Sequence, residues 1–308
     1  MEKKLSIVIP VYNRGEIVGR TLRSVEAQTY RPLKVILVDN ASTDNTASVL
    51  GAWRDRTASH DFEVTIVAET TPGAAAARNR GLAMVDTPWV MFFDSDDTMH
   101  PAHCGRVMDA AARNDADIIA WDVNIHLPAR TVKGLPLGSH PIFDCIFHGS
   151  MATQRWCART SLVRDAGGWN PQAYLWNDIE LGTRMLVRRP AIYSLGGSTT
   201  VDVLYTPLSI TNQPWPQRLA NADKVTAMLE CSLPPGYSHY ADFKRVLAAG
   251  EALRLCSDAA VRSAARRMYT STLSKTPSMQ RRALMRLAFH YISHIPHGCV
   301  ALLSLFLK

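Results

Sequence analysis

Five aliphatic runs, each ending where polar residues begin, alternate with helical stretches through the first 125 residues, and this alternation constrains the fold most. Leu5-Ser-Ile-Val-Ile-Pro10, Leu33 to Val38, Phe62 to Val67, Trp89 to Phe93 and Asp117 to Ile125 read as strands. Between them, Gly15 to Gln28 places Ile17, Leu22 and Val25 at helical spacing. Ser42 to Thr46 offers caps for a helix towards Trp53. Gly73 to Met84 and Pro101 to Asn114 complete the helical set. Strands alternating with helices of this length predict an α/β fold with a doubly wound, mostly parallel sheet. In such sheets ligands bind beyond the carboxyl ends of the strands. Asp39, Asn40, Ser42 and Asp44 follow the second run, and Asp94, Ser95, Asp96 and Asp97 follow the fourth. Two acidic clusters then face one crevice. The competing reading makes them helix caps and turn formers, ordinary work for Asp and Ser.

Closely spaced carboxylates repel unless a cation neutralises them. Hard oxygen ligands suit Mg²⁺ or Mn²⁺, which keep water and bind substrate phosphates. Asp94-Ser-Asp-Asp97 is thus a candidate site for a metal against a diphosphate. Alone it is a weak signal, but it stands last in a series. Ile9-Pro-Val-Tyr-Asn13, Val38 to Thr46, Gly73 to Gly81 with Ala77-Arg-Asn-Arg-Gly81, and Phe92 to Asp97 occur in that order. As a set they resemble the family 2 glycosyltransferases, which are inverting enzymes with the GT-A nucleotide-sugar-binding fold. The resemblance covers about residues 4–213.

The resemblance implies roles position by position. Pro10, Tyr12 and Asn13 match the lining of the nucleotide pocket. Asp39 matches the acid that hydrogen-bonds the base, usually uracil, and its neighbour, often a second Asp, is here Asn40. Ser42 and Asp44 match the following loop. Arg78 matches the basic residue near the diphosphate or base, with Asn79 and Gly81 supporting the turn. Asp94, with Ser95 beside it, matches the ribose-side carboxylate, and Asp96 matches the ligand of Mg²⁺ or Mn²⁺. The alternative for Arg78 is a charge on a solvated helix face.

Further on, Thr153 to Arg159 reads as a short strand and Leu162 to Ala166 as a short helix. Gly167-Gly-Trp-Asn170 is a turn, and Leu175-Trp-Asn-Asp-Ile-Glu-Leu-Gly-Thr-Arg184 opens another helix. This segment is similar to the family's acceptor-side helix, whose start carries a Glu-Asp pair. Here the pair is Asn177-Asp178, so Asp178 matches the catalytic base, with Glu180 as the fallback. Inverting transfer needs one base to take the proton of the attacking hydroxyl. The alternative makes Asp178 an N-cap and Glu180 a first-turn acid favoured by the helix dipole. Trp169 and Trp176 flank the segment as candidate sugar contacts, though Trp is more often core. Many relatives carry a metal-binding His after the last strand of the domain. Val203 to Thr211 has none, so Asp96, diphosphate and water would hold the ion.

Other classes fit less well. A nicotinamide oxidoreductase needs Gly-x-Gly-x-x-Gly after a strand, where Pro10-Val-Tyr-Asn-Arg-Gly15 stands instead. A non-catalytic nucleotide-sugar-binding or membrane-assembly protein of the same fold has no need for Asp94, Asp96 and Asp178 together.

Charge divides the chain. The net is +7, yet residues 1–216 carry 21 bases and 22 acids, whereas 217–308 carry 13 and 5. From Ala259 to Lys308 there are eight bases and no acid. The expected organisation is a glycosyltransferase domain over 1–215, with a nucleotide-sugar half (1–125) and an acceptor half (126–215), then a basic helical extension over 216–308. Gln217 to Cys231, Tyr240 to Cys256, Asp258 to Leu273 and Ser278 to Ser293 have helical patterns. In the last, Leu284, Leu287, Ala288, Tyr291 and Ile295 are expected on one face, and Arg282, Arg286 and His290 on another. Pro296 should end it, before an apolar run from Gly298 to Leu307 that is too short to span a bilayer. A basic amphipathic helix with a short apolar end suits an anionic membrane surface; the alternative is a packed helical lid. No nucleic-acid motif is present. The N-terminus is wrongly flanked for a signal peptide, and the six cysteines show no CxxC pairing, so a cytoplasmic location at the inner membrane face is expected. The implied partners are a nucleotide-sugar donor and a glycan or lipid-linked acceptor.

Overall fold

The computed structural model describes residues 5–206, 213–295 and 298–307. Strands β1 (Leu5–Val11), β2 (Leu33–Asp39), β3 (Phe62–Ala68) and β4 (Trp89–Phe92) alternate with helices α1 (Val18–Glu26), α2 (Thr46–Thr57) and α3 (Ala74–Ala83). Short β5 (Thr98–Met99) and α4 (His103–Arg113) follow. The run read as one strand over 117–125 is broken into β6 (Ile118–Ala120) and β7 (Val123–Leu127), and β8 (Arg130–Gly134) turns back along β7. Then come α5 (Pro141–Phe143) with a π turn over Asp144–His148, a 3₁₀ turn over Thr153–Arg155, β9 (Trp156–Arg159), α6 (Thr160–Asp165), α7 (Asn177–Leu186), β10 (Ile192–Ser194) and β11 (Val201–Leu204).

The main sheet has seven strands in the order β10-β6-β9-β4-β1-β2-β3. Only β9 runs against its neighbours, β4 and β6. In β1 the side chains alternate between two cores. Leu5, Ile7, Ile9 and Val11 pack with Val18, Leu22 and Val25 of α1, whereas Val8 packs with Ala77 and Leu82 of α3. Both faces are therefore covered, as a parallel sheet requires. Gly81 lets α3 lie directly on β1, because any side chain there would run into Val8.

The register aligns the strand ends. Val11 lies opposite Asp39, and Phe92 opposite Val8, so the loops after β1, β2 and β4 emerge on one edge. A second sheet, β5-β11-β7-β8, was not legible in the sequence. Its strand β11 returns about 100 residues after β5 to pair with it.

The basic extension is helical: α8 (Trp215–Ser232), α9 (His239–Leu255), α10 (Ala259–Lys275), α11 (Met279–His294) and α12 (Cys299–Leu307). It is packed on the rest. Val225, Leu229, Phe243, Val246, Met285 and Leu303 share one continuous core with Phe92, Trp156 and Ile179. The amphipathic pattern expected of α11 holds in part: Leu284, Ala288 and Tyr291 pack on the core beside the buried Met285, whereas Leu287 and Ile295 stay 49% and 44% exposed. The docking face is set by α9 and α12, which the periodicity of α11 alone cannot reveal. Pro296 lies outside the described residues, as does 207–212 within the stretch that lacks the His. Among the described residues no helix is long and apolar enough to cross a membrane, and the six cysteines are free.

Candidate functional site

The loops after β1 and β2 are built as one piece. Asn13 takes a left-handed backbone conformation, φ 50°. Its N–H donates to Ser42 Oγ at 3.0 Å, and its Oδ1 accepts from Thr43 N at 2.8 Å. Asp39 Oδ1 accepts from Ser42 N at 3.1 Å, and Asp44 Oδ2 from Gly15 N at 3.1 Å. Asp44 also caps Thr46, the first residue of α2, through Oδ1. Ser42 and Asp44 thus do the turn-forming work of the competing reading while holding Pro10, Tyr12 and Asn13 at the strand ends. Tyr12, 56% exposed, lies open on that edge.

Asn40 is explained by its contacts. Its Nδ2 donates to the carbonyls of Glu69 and Thr71 (3.0 and 2.7 Å), and its Oδ1 accepts from Gly73 N at 2.8 Å. An Asp there has no N–H for the two carbonyls. Asn40 therefore fixes the loop that leads into α3, and Gly73 (φ 119°) turns the chain into it.

From α3, Arg78 reaches across the sheet edge. Its Nη2 donates to Asp94 Oδ1 at 2.7 Å, its Nη1 lies 3.5 Å from Asn177 Oδ1, and its guanidinium carbon sits 4.4 Å above the Trp169 ring. The side chain is 6% exposed, so it is no solvated surface charge. Arg78 Nε and Trp169 Nε1 are buried with no hydrogen-bond partner among the described residues. Trp169 itself is core, 1% exposed, with its ring 5.1 Å from Phe92 and stacked on Trp156. Trp176 is half-buried.

The acidic cluster is braced from two sides. Gln154 Nε2 donates to Asp94 Oδ2 at 2.8 Å and also to Asp97 Oδ2. Leu204 N at the end of β11 donates to Asp97 Oδ1 at 2.8 Å, and Thr206 Oγ1 to Asp96 Oδ2 at 3.0 Å. Arg14 stands 4.0 Å from Asp96, and Arg20 Nη2 donates to the Asp96 carbonyl at 2.7 Å. Ser95 is buried between them. Sequence reasoning missed Arg14, Gln154 and the part played by Asp97. Arg14 directly follows the quoted Tyr12-Asn13 segment, whereas nothing local marks Gln154.

Burial, then the Asp94 charge, raises Asp96 above the ordinary carboxylate range. Burial, then Asp94 and Asp96, pushes Asp97 up to about 8. Carboxylates held this close in a protein interior are stabilised by a cation. Among the described residues no three His, Cys, Asp or Glu side chains converge as a metal cage. A Mg²⁺-like ion needs fewer: one or two carboxylates, with water and substrate phosphate completing its shell. Asp94 and Asp96 fit that requirement.

Asp178 is the second residue of α7. The N-cap position belongs to Trp176, whose φ of 59° is left-handed, so Asp178 is not the cap. Its Oδ1 accepts from Ile179 N at 2.8 Å. Burial raises its pKa and Asp94 adds to this, while the Ile179 N–H and Arg78 oppose it. Glu180 is 3% exposed and committed to Arg184, at 2.6 and 2.8 Å. Arg184 in turn holds the Gly168 carbonyl at 2.7 Å, so the pair props the turn bearing Trp169.

Comparisons with known proteins agree with this architecture. Residues 6–151 match the family described as glycosyl transferase family 2. The chain is 31% identical over 115 residues to an uncharacterized glycosyltransferase, YibD of Escherichia coli K12, covering 37% of this chain and 32% of that one. It is 35% identical over 121 residues to the succinoglycan biosynthesis protein ExoW of Rhizobium meliloti, covering 37% and 36%. The match thus spans about a third of the length of these relatives. In fold it is similar to S. aureus TarS 1-349, solved in complex with UDP-GlcNAc, with a TM-score of 0.72 at 15% identity, over 94% of this chain and 87% of that one.

Proposed function

We propose that this chain, whose residues 6–151 match glycosyl transferase family 2, is a member of that family and moves a sugar from a UDP-sugar to an acceptor hydroxyl with inversion at the anomeric carbon. The carrying observation is the reach of Arg78. One side chain touches Asp94 at the end of β4 and Asn177 at the start of α7, beside Asp178. That side chain therefore links the donor-side carboxylate to the helix start that carries the acceptor-side one.

In this reading Tyr12, with Pro10 and Asn13, faces the base, and Asp39 accepts its N–H. Ser42 and Asp44 shape that wall. Asp94 and Ser95 meet the ribose side. Arg78 meets diphosphate oxygens with a fork suited to them, and its unused Nε is one more donor for such an oxygen. Asp96, with Asp94, would hold Mg²⁺ or Mn²⁺, which neutralises charge on the nucleoside diphosphate. Asp178 takes the acceptor proton as the oxygen attacks from the face opposite the diphosphate. Burial raises the affinity of Asp178 for that proton, which suits a general base. Residues 1–125 handle the donor, 126–215 the acceptor, and 216–308 form the extension. A glycan or lipid-linked acceptor fits a place in surface polysaccharide or glycolipid synthesis, in line with the name of ExoW.

A UDP-release screen across donor sugars, with the product anomer read by NMR, tests the reaction. One donor is expected to give release that EDTA abolishes and Mg²⁺ or Mn²⁺ restores. Release unaffected by EDTA removes the metal from the reading.

The extension's proposed partner is an anionic bilayer surface at the inner membrane face. Met279, Leu305 and Phe306 are 79%, 76% and 63% exposed, and the exposed bases Arg281 and Arg286 share α11 with Met279. Full-length protein is expected to float with vesicles containing phosphatidylserine. The variant Leu305→Asp/Phe306→Asp should lose most of that binding while keeping its UDP affinity. Equal flotation of the two proteins refutes the contact.

A further inference from the structure

The extension reaches the start of α7 through Lys244 on α9. Its Nζ lies 4.6 Å from the centre of the Trp176 ring, a cation–π distance. Trp176 starts α7 two residues before Asp178, with a left-handed backbone that a bulky side chain adopts only when its surroundings hold it. Among the described residues the Lys244 ammonium makes no ion pair, although the residue is half-buried. A desolvated lysine without a carboxylate partner is costly, and one that balances a nearby acid is less so.

We propose that Lys244 is a positioning residue for Asp178: from the C-terminal extension it clamps the Trp176 indole at the start of α7 and supplies positive charge beside the carboxylate. This rests on the reading of Asp178 as the base. The surroundings support it. Asp178 is faced by Arg78 from α3, Asp94 from the end of β4, Arg155 from the turn before β9, Cys145 from the π turn and Lys244 from α9. Lys244 is faced by Asp178, by Glu251 on its own helix and by Cys145. Burial pushes Lys244 down to about 8, and Asp178 is the largest influence opposing that fall. Asp178 thus favours the charged form of Lys244 across the boundary between the extension and the rest of the chain, while the Ile179 N–H and Arg78 are the larger influences holding Asp178 itself down.

Lys244→Met keeps the alkyl stem against Trp176 and removes the charge; Lys244→Arg keeps the charge. The Asp178 carboxyl is followed by ¹³C NMR in the full chain, assigned with Asp178→Asn, and UDP release is followed against pH. With the cation gone the carboxylate is disfavoured, so the Asp178 titration should rise in Lys244→Met and return in Lys244→Arg. The acid limb of kcat/KM should move by the same amount. An unmoved titration in a folded Lys244→Met protein overturns the proposal, even if activity falls evenly at all pH. The NMR arm needs no turnover. Failure of the transferase reading would instead appear as a wild-type protein that releases no UDP with any donor, while the NMR arm still decides for or against Lys244.

Discussion

Asp178→Asn is expected to lower the transfer rate by about 10³-fold, within the range that general-base catalysis contributes, while UDP binds as before. The asparagine keeps the shape and still accepts from Ile179 N, but it cannot take a proton. Linkage gives a second outcome. Burial raises the folded-state pKa of Asp178 above the unfolded value, so the folded form holds the proton more tightly. The stability this gives is fully present below the unfolded pKa and is lost as pH rises through the folded one. At pH 7 the carboxylate therefore costs stability, and Asp178→Asn should melt at or above the wild-type temperature. In the wild type, kcat/KM should fall as one proton binds, on an acid limb lying above the usual carboxylate range. Initial rates from pH 4 to 9, UDP calorimetry and thermal melts check all three. A variant that binds UDP normally and retains full transfer would sink the assignment.

The contrast between Asp178 and Glu180 shows what local pattern can and cannot resolve. Both are acids at the start of a helix, and only the fold separates them: Glu180 is consumed by Arg184, whereas Asp178 faces Arg78 and Lys244. The first four strands were legible because both faces of the sheet are covered, so that strands such as β1 and β2 are written as nearly unbroken aliphatic runs. The bracing of the acidic cluster was not legible. Gln154 and Leu204 arrive from 57 and 107 residues beyond Asp97, and long-range pairing leaves no local pattern. Trp169 looked the same in sequence whether it faced a sugar or the core, and its burial between Phe92 and Trp156 decides for the core. Nothing local in the sequence sets Lys244 apart from the other charges of α9, and its contact with Trp176 is seen only in the fold.

Arg78→Met should show how far the cleft depends on its own internal counterion. In the wild type the guanidinium pairs with Asp94 at 2.7 Å and covers Trp169. Breaking a buried pair by removing one partner costs about 3–5 kcal/mol. Asp94 keeps 28% exposure and a hydrogen bond from Gln154, so a loss of roughly 2 kcal/mol is the reasonable expectation here. The methionine fills the space over Trp169, which limits the packing loss. Affinity for UDP should fall by at least about tenfold, because charge-assisted bonds to phosphate oxygens are lost. Arg78→Lys separates the two effects. A lysine keeps a charge near Asp94 but cannot span Asp94 and Asn177 with one planar fork. It should recover most of the stability and only part of the affinity. Urea unfolding and UDP calorimetry on the three proteins give the comparison. If Arg78→Met loses stability but binds UDP as tightly as the wild type, Arg78 is a structural brace for Asp94, and the diphosphate must be held by other groups.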